Sequence, residues 1–344
     1  MSACPPRNRA LSIVLVAVFC ALPACGRDHA IPERPGPGPA QLERKAADSE
    51  SWPVEVVDSL GRKVTVAQLA VRIVSLAPSN TEILHAVGAG RQVIGRTTFD
   101  NYPPEARSHT SIGGMTPKTI NLEAVTALRP DLVLATSGVQ EPVIAPLERL
   151  GLTVVALDAT DFAGVARNIR TVGRLTGHAT EAEQLATGFL DRVAAVGRRV
   201  AARRSPRPRV LYLLREDPLM TAGPGTFIGQ MIEAAGGNNV FGDVTTRFPR
   251  PSEEEILARA PEVILCTHGA MTAGDQNDEA RHQAILGRKG WDQISAVREN
   301  RITFIQEDLV NRPGPRLVEG LEAVAEVLQS YAQKVDNRSK PAAR

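Results

Sequence analysis

The chain has 344 residues, enough for two domains of ordinary size, each with its own core. Apolar residues make up 43% and charged residues 23%, and 40 basic side chains nearly balance 38 acidic ones, which describes a globular chain without the basic footprint of a nucleic-acid binder. Of the four cysteines only Cys266 lies outside the first 25 residues, inside the apolar run VILC, so there is neither a disulfide framework nor a Cys-x-x-Cys knuckle, and Cys266 reads as a small core residue.

Arg7 and Arg9 precede the apolar stretch Ala10–Ala24, which is short for a bilayer span and has the form of a secretory signal over residues 1–24. It closes on Leu22-Pro23-Ala24-Cys25, similar to a bacterial lipobox; that similarity implies cleavage before Cys25 and a lipid on its sulfur. Gly26 follows, so the choice between inner and outer membrane stays open. Residues 25–50 are rich in Pro, Gly and charge and read as a disordered tether. Residues 51–70 alternate apolar and polar around a Gly-containing turn within Val54–Val66, which predicts a β-hairpin.

An N-terminal lobe is predicted over residues 71–178. Arg72–Leu76 is a short buried strand. Ser79 and Glu82 have the S-x-x-E spacing of a capping box, which predicts a helix to Val87 closed by Gly88 and Gly90. Short apolar runs then alternate with helical periodicity: Val93–Gly95, Leu122–Leu128, Leu132–Ala135, Pro142–Leu150, Val154–Leu157 and Ala163–Leu175. Such alternation argues for a parallel sheet covered by helices. A linking helix is predicted over residues 179–205. Its stretch Glu181–Arg204 lacks Pro, carries apolar residues every three or four positions, and spans roughly 35 Å. Arg207-Pro208 breaks it, a C-terminal lobe repeats the pattern over residues 206–332, and a polar tail occupies 333–344. The expected fold is α/β, with two Rossmann-like lobes of mostly parallel sheet joined by one long helix.

The two lobes resemble each other in sequence. Asn121–Leu134 (NLEAVTALRPDLVL) matches Ser252–Leu265 (SEEEILARAPEVIL), with an N-cap residue first, a Glu two places later, and a Pro seven places after that. Arg72–Leu76 parallels Arg209–Leu213, and Ala86–Gly95 parallels Glu233–Gly242. Duplicated α/β halves generally face each other across a crevice, which points to a two-lobed receptor.

Taken in order, RIVSLAPSNTEIL, DNYPPEA, INLEAVTALRPDLVLA, the central helix, RPSEEEILARAPEVIL and NRPGPRLVEGLEAVAE resemble the helical-backbone class of ABC-transporter substrate-binding proteins, over about residues 70–332. The resemblance is nearest to cobalamin-binding members, with ferric-siderophore and haem receptors as relatives. It implies a non-enzymatic receptor in the periplasm or at the cell surface, anchored to a bacterial membrane by its lipid. The receptor would hold a small-molecule metal chelate and deliver it to an ABC permease dimer with its ATPase subunits. It implies that Glu123 and Glu254 dock on the permease, and both occupy first helical turns, where the helix dipole favours an anion. It places Phe99, Tyr102, Thr136, Phe248, Asp308 and Arg312 at the ligand. Three positions that are Trp in cobalamin-binding members read Pro117, Thr136 and Phe248 here, which thins the aromatic cradle and keeps siderophore and haem open; Arg96, Arg247, Arg250 and Arg312 are the cations a siderophore would want.

No dedicated metal site or cofactor is expected, because none of the six histidines falls in H-E-x-x-H spacing. His85 reads as a packed core or rim residue, and His268, at a strand end, as a candidate for the cleft wall. Gly223-Pro224-Gly225 with Gly229 lacks the Lys of a phosphate loop and reads as a turn that brings backbone to the cleft floor. Ser75 and Ser79 lack a G-x-S-x-G elbow, so no catalytic residue is named. The rival of another class is a corrinoid-handling enzyme or a sensor domain on the same scaffold.

Overall fold

The computed structural model describes residues 52–203, 205–268 and 277–339. The expected signal peptide, Cys25 and the tether to residue 50 lie outside the described residues. The chain opens with an antiparallel pair, β1 (Val54–Val57) and β2 (Lys63–Val66), whose Val54, Val56 and Val66 are buried. Its turn is stitched to the first lobe, since the Ser59 amide donates to the Ala156 carbonyl at 2.9 Å.

The first lobe is built on β3 (Ile73–Ser75), β4 (Val93–Arg96), β5 (Thr110–Ser111), β6 (Leu132–Ala135) and β7 (Val154–Ala156). They form one parallel sheet in the order β5-β4-β3-β6-β7. Its helices are α1 (Pro78–Ala86), α2 (Leu122–Ala127), α3 (Glu141–Arg149) and α4 (Phe162–Thr176). A 23-residue helix, α5 (Ala179–Ala201), leads to the second lobe. There β8 (Arg209–Leu213), β11 (Asn238–Asn239), β12 (Val263–His268) and β13 (Ile302–Gln306) form a parallel sheet in the order β11-β8-β12-β13, while β9 (Arg215–Glu216) and β10 (Leu219–Met220) pair separately. Helices α6 (Phe227–Ala234), α7 (Glu253–Arg259), α8 (Asp278–Leu286), α9 (Ser295–Arg298), α10 (Glu307–Asn311) and α11 (Leu317–Ser339) complete it. The last helix continues through the stretch expected to be a tail, reaching Ser339.

The repeat read in the sequence is reproduced bond by bond. Asn121 and Ser252 cap α2 and α7 by accepting from the amides of Ala124 and Glu255. Each helix is followed by a left-handed non-glycine residue, Arg129 (φ 47°) and Ala260 (φ 44°), set just before a proline. Left-handed backbone with a Cβ is strained and persists only where its surroundings hold it. Here the first strand of each sheet does so: Arg72 Nε donates to the Arg129 carbonyl at 3.2 Å, and Arg209 Nε to the Ala260 carbonyl at 2.9 Å. The acidic residue after each proline completes the clasp, with Asp131 accepting from the Arg72 amide and Glu262 from the Arg209 amide.

Two features depart from the sequence expectation. The Ser79–Glu82 capping box does not form. The first helix starts two residues earlier, with Ala77 as an N-cap that makes no side-chain bond and Pro78 in its first turn, where the fixed φ of proline suits a helix start. Glu82 is thereby released for a different partner. The lobes also do not keep separate cores. One apolar cluster runs from Ile73, Leu132 and Leu134 of the first sheet through Phe189 and Val196 of α5 to Val210, Tyr212 and Leu321 of the second lobe. Phe162, Phe189 and Phe227 join it at ring-centroid distances of 6.3 and 6.4 Å, contacts worth about 0.5–1.5 kcal/mol per pair. Only the outer faces of the sheets have clusters of their own. At the start of α5 the chains approach so closely that a Cβ on Gly173 would sit 2.1 Å from that of Ala182. Cys266 is fully buried in β12 and burial pushes its thiol far above the usual range, as expected of an inert core residue.

His85, at the end of α1, and His109 face each other with their Nε2 atoms 3.3 Å apart. Desolvation lowers both imidazoles below 6.5; His109 adds to the effect at His85, where Glu105 opposes it, and Arg96 adds to it at His109. A histidine whose folded value is depressed stabilises the protein above its unfolded value and loses that contribution as pH falls through the folded value. We therefore expect stability to decline as pH is lowered below about 6.5. Urea midpoints measured across pH 7.5 to 5 should show a shallower decline for His85→Asn/His109→Asn than for the wild type.

Candidate functional site

In each sheet the strands run parallel, so their C-terminal ends share one edge, where the loops that bind ligands in α/β proteins gather. These two edges face each other. The first lobe contributes Arg96 at the end of β4 with the following Thr98–Asn101, Ser137 beyond β6, and Asp158–Thr160 beyond β7. The second contributes Leu214 beyond β8, His268 at the end of β12, Gln306 at the end of β13, and the start of α6. They enclose two cavities of about 550 and 580 Å³ on either side of the segment 310–313. The glycine turn serves this arrangement: a Cβ on Gly223 would lie 2.2 Å from the Thr246 carbonyl oxygen, and the Gly223 amide donates to Arg247, the neighbour of Phe248.

A buried charge cluster ties the lobes together between these walls. The Glu82 side chain is 2% exposed and accepts from Arg316 Nε at 2.9 Å and Nη2 at 2.6 Å, with Arg312 Nη1 at 3.4 Å. Arg312 also reaches Asp308 at 2.7 Å, Asn101 Oδ1 at 2.7 Å and the Phe99 carbonyl at 3.3 Å. Burial works to lower the pKa of Arg316, but the Glu82 hydrogen bond and the charges of Glu82 and Asp308 hold it raised. A second bridge runs from Gln230 Nε2 to the Thr160 carbonyl at 2.6 Å.

The residues expected at the ligand are distributed unevenly. Phe99 walls the first cavity and Phe248 the second, and with Tyr102 they are among the few large apolar side chains left exposed, at 41%, 45% and 43%. Tyr102 walls neither cavity; its ring lies under the Arg316 guanidinium, 3.6 Å from centroid to carbon. Thr136 also walls neither. Its amide is held by Gln140 Oε1, and the adjacent Ser137 takes the cavity position. Asp308 and Arg312 do wall the first cavity, but four donor contacts of Arg312 are already spent on protein oxygens, so its expected part as a free cation for the ligand gives way to a bridging one. Arg96 is likewise engaged, donating to the carbonyls of Thr97 and Arg107. Of the four arginines considered for a siderophore, Arg247 is the other that walls a cavity, and it lies over the Phe248 ring. His268 lies on the first cavity wall with Nδ1 2.8 Å from Asp278.

Glu82 and Arg316 were not found by the sequence reading. The signal was present as the R-P-G-P-R spacing of Arg312 and Arg316, two cations on one turn that need an anion once buried. Phe227, the first residue of its helix, and Asp158, in a loop, were also missed, because single residues at element ends carry no periodic signature. Among the described residues no cluster of three or more His, Cys, Asp or Glu side chains is arranged to hold a metal ion, and no helix is long and apolar enough to cross a membrane. Glu123 and Glu254 are both exposed at the second position of their helices. The backbone amide of Glu254 and the Ser252 hydroxyl hold the Glu254 carboxylate below its usual range.

The periplasmic binding protein family profile matches residues 73–309. The chain belongs to that family. This periplasmic binding protein is 33% identical over 322 residues to a cobalamin-binding protein of Halobacterium salinarum, covering 93% of the chain and 84% of the relative. It is 32% identical over 293 residues to an uncharacterized ABC transporter substrate-binding lipoprotein of Bacillus subtilis, covering 83% and 89%. Its fold matches the crystal structure of the periplasmic vitamin B12-binding protein of Vibrio cholerae with a TM-score of 0.65 at 28% identity, over 76% of this chain and 98% of the other. The family and these relatives are binding proteins.

Removing one member of a buried ion cluster leaves the others uncompensated, at a cost of roughly 3–5 kcal/mol. Glu82→Ala should therefore lower the unfolding free energy by about 3 kcal/mol, read from urea denaturation, and should speed amide exchange in the segments 97–101 and 310–316. An unchanged midpoint would show that the cluster does not hold the lobes.

Proposed function

We propose that this chain is the extracytoplasmic receptor of an ABC importer, that it captures a cobalamin or related corrinoid between its lobes, and that it does so by binding alone, without turnover. The observation that carries the reading is the pair of exposed phenylalanines, Phe99 and Phe248, set on cavity walls from opposite lobes. Large exposed apolar faces in a crevice mark a partner with a large apolar face of its own. Either cavity alone falls in the range of an ordinary small-molecule pocket, so a ligand filling both is bigger than a simple metabolite. The pairing of Arg312 with Glu82 and Asp308 compensates one of the cations that a polyanionic siderophore would need. The cobalamin-binding and B12-binding relatives support the same ligand class.

Delivery follows from the duplicated helices. Both α2 and α7 are followed in sequence by a central strand of their sheet, β6 and β12, so each N-terminus lies on the side of the strands' C-terminal ends, beside the crevice. Glu123 and Glu254 then present two matched negative charges flanking the mouth, suited to arginines on a two-fold permease dimer. Such exposed contacts orient the complex and weaken with salt. The ATPase subunits of the importer supply the energy, and a lipid on Cys25 with the tether of residues 25–50 keeps the receptor near the membrane; the lipoprotein relative supports the anchor.

Calorimetry with cyanocobalamin, cobinamide, ferric siderophores and haem tests the ligand. We expect a corrinoid to bind with a Kd of about 1 µM or tighter, roughly −8 kcal/mol, and selective binding of a siderophore or haem would overturn the assignment. Glu123→Lys/Glu254→Lys should reduce corrinoid uptake by cells to background while leaving solution affinity within about twofold, a difference of roughly 0.4 kcal/mol. A matching loss of affinity in that variant would place those glutamates at the ligand instead.

A further inference from the structure

We propose that His268 coordinates the metal of the captured chelate, and that the receptor therefore favours corrinoids whose cobalt has an exchangeable axial position; this rests on the corrinoid reading above. The strand β12 ends on His268 at the wall of the first cavity. Its Nδ1 is 2.8 Å from Asp278 Oδ2. A carboxylate only accepts, so Nδ1 carries the hydrogen and Nε2 is the nitrogen left for a metal. This is the arrangement by which proteins fix the tautomer and direction of a metal-ligating imidazole and raise its basicity.

The carboxylate behind the ring is placed by the start of its helix and by one neighbouring cation. Asp278 is the first residue of α8, whose N-cap Asn277 accepts from the Ala280 amide at 2.7 Å. Its other oxygen lies 3.8 Å from Arg281, a guanidinium 1% exposed that is fixed by Glu216 at 2.5 Å and by the Thr267 carbonyl. The His268 side chain is 44% exposed, so the ring is oriented through Nδ1 yet accessible to a ligand. Phe99 walls the same cavity from the first lobe. A flat macrocycle seated there meets an aromatic face on one side and an imidazole from the other lobe.

A lone imidazole does not make a site for a free ion, and no larger ligand cluster is present among the described residues. It is suited to a metal that arrives with its equatorial positions already filled by a macrocycle. The step is a ligand exchange: Nε2 donates its lone pair to Co(III), the bound water leaves with its own pair, and no electron changes hands. Cyanocobalamin, with cyanide and its own base on the two axial positions, offers no such vacancy and binds through its faces alone.

The test uses the purified chain with aquocobinamide and cyanocobalamin, followed by visible absorption and by calorimetry. The corrin bands of aquocobinamide should shift on binding to the wild type and stay at their free positions with His268→Ala and His268→Gln. Affinity for aquocobinamide should fall by about 10- to 100-fold in Asp278→Asn, the range typical for loss of a metal ligand's outer-shell partner, and by at least as much in both His268 variants. Affinity for cyanocobalamin should fall by a smaller factor than affinity for aquocobinamide in all three, and an unchanged urea midpoint reports that they fold. Cyanocobalamin binding with no band shift for aquocobinamide would overturn the role of His268 while sparing the corrinoid reading. Absence of binding to either corrinoid would overturn both.

Discussion

The side chain of Glu82 anchors this architecture. It projects from the first helix of one lobe, is nearly sealed from water, and is met by two arginines of the other lobe, with Asp308 and Asn101 closing the ring of charges and dipoles. Charges taken out of water are costly unless the pairing geometry is good and the remaining valences are filled. That condition is satisfied only when the two lobes stand at one separation, so the cluster sets the width of the crevice. It also explains why Arg312 makes four contacts to protein oxygens and why Tyr102 lies under the Arg316 cation. Among the side chains that wall the cavities, Phe99, Phe248 and His268 keep accessible faces.

Stiffness has a second source in the apolar layer beneath the crevice. The linking helix α5 lies in that layer as part of a common core, with Phe189 packed on Phe162 of one lobe and the same Phe162 packed on Phe227 of the other. A hinge would have to separate rings in van der Waals contact. Receptors with flexible strand linkers close around their ligands by large rotations, whereas the shared layer here opposes such a rotation.

Much of this was legible in the sequence, and the reasons differ by element. The duplication was visible because the helix caps, the prolines and the following acidic residues each have a fixed local task, and the structure shows all of them performing it in both halves, down to Arg72 and Arg209 clasping the same turn. The alternation of strands and helices was legible because both faces of each sheet are covered, which demands apolar runs. Glu82 was misread because S-x-x-E is a statement about local spacing, and a distant pair of arginines outcompeted the local cap. The shared core was invisible for a related cause: the period of α5 shows that one face is buried but not what buries it. Thr136 and Ser137 differ by one residue at a strand end, and only the direction of the chain after β6 decides which of them meets the cavity.

The continuity of the apolar layer also bears on how the molecule comes into being. Two halves so alike in sequence suggest units that fold one after the other, each sufficient in itself. Here Ile73 and Leu134 of one half and Val210 and Leu321 of the other belong to one buried apolar cluster, so the interior of each half is completed by the other.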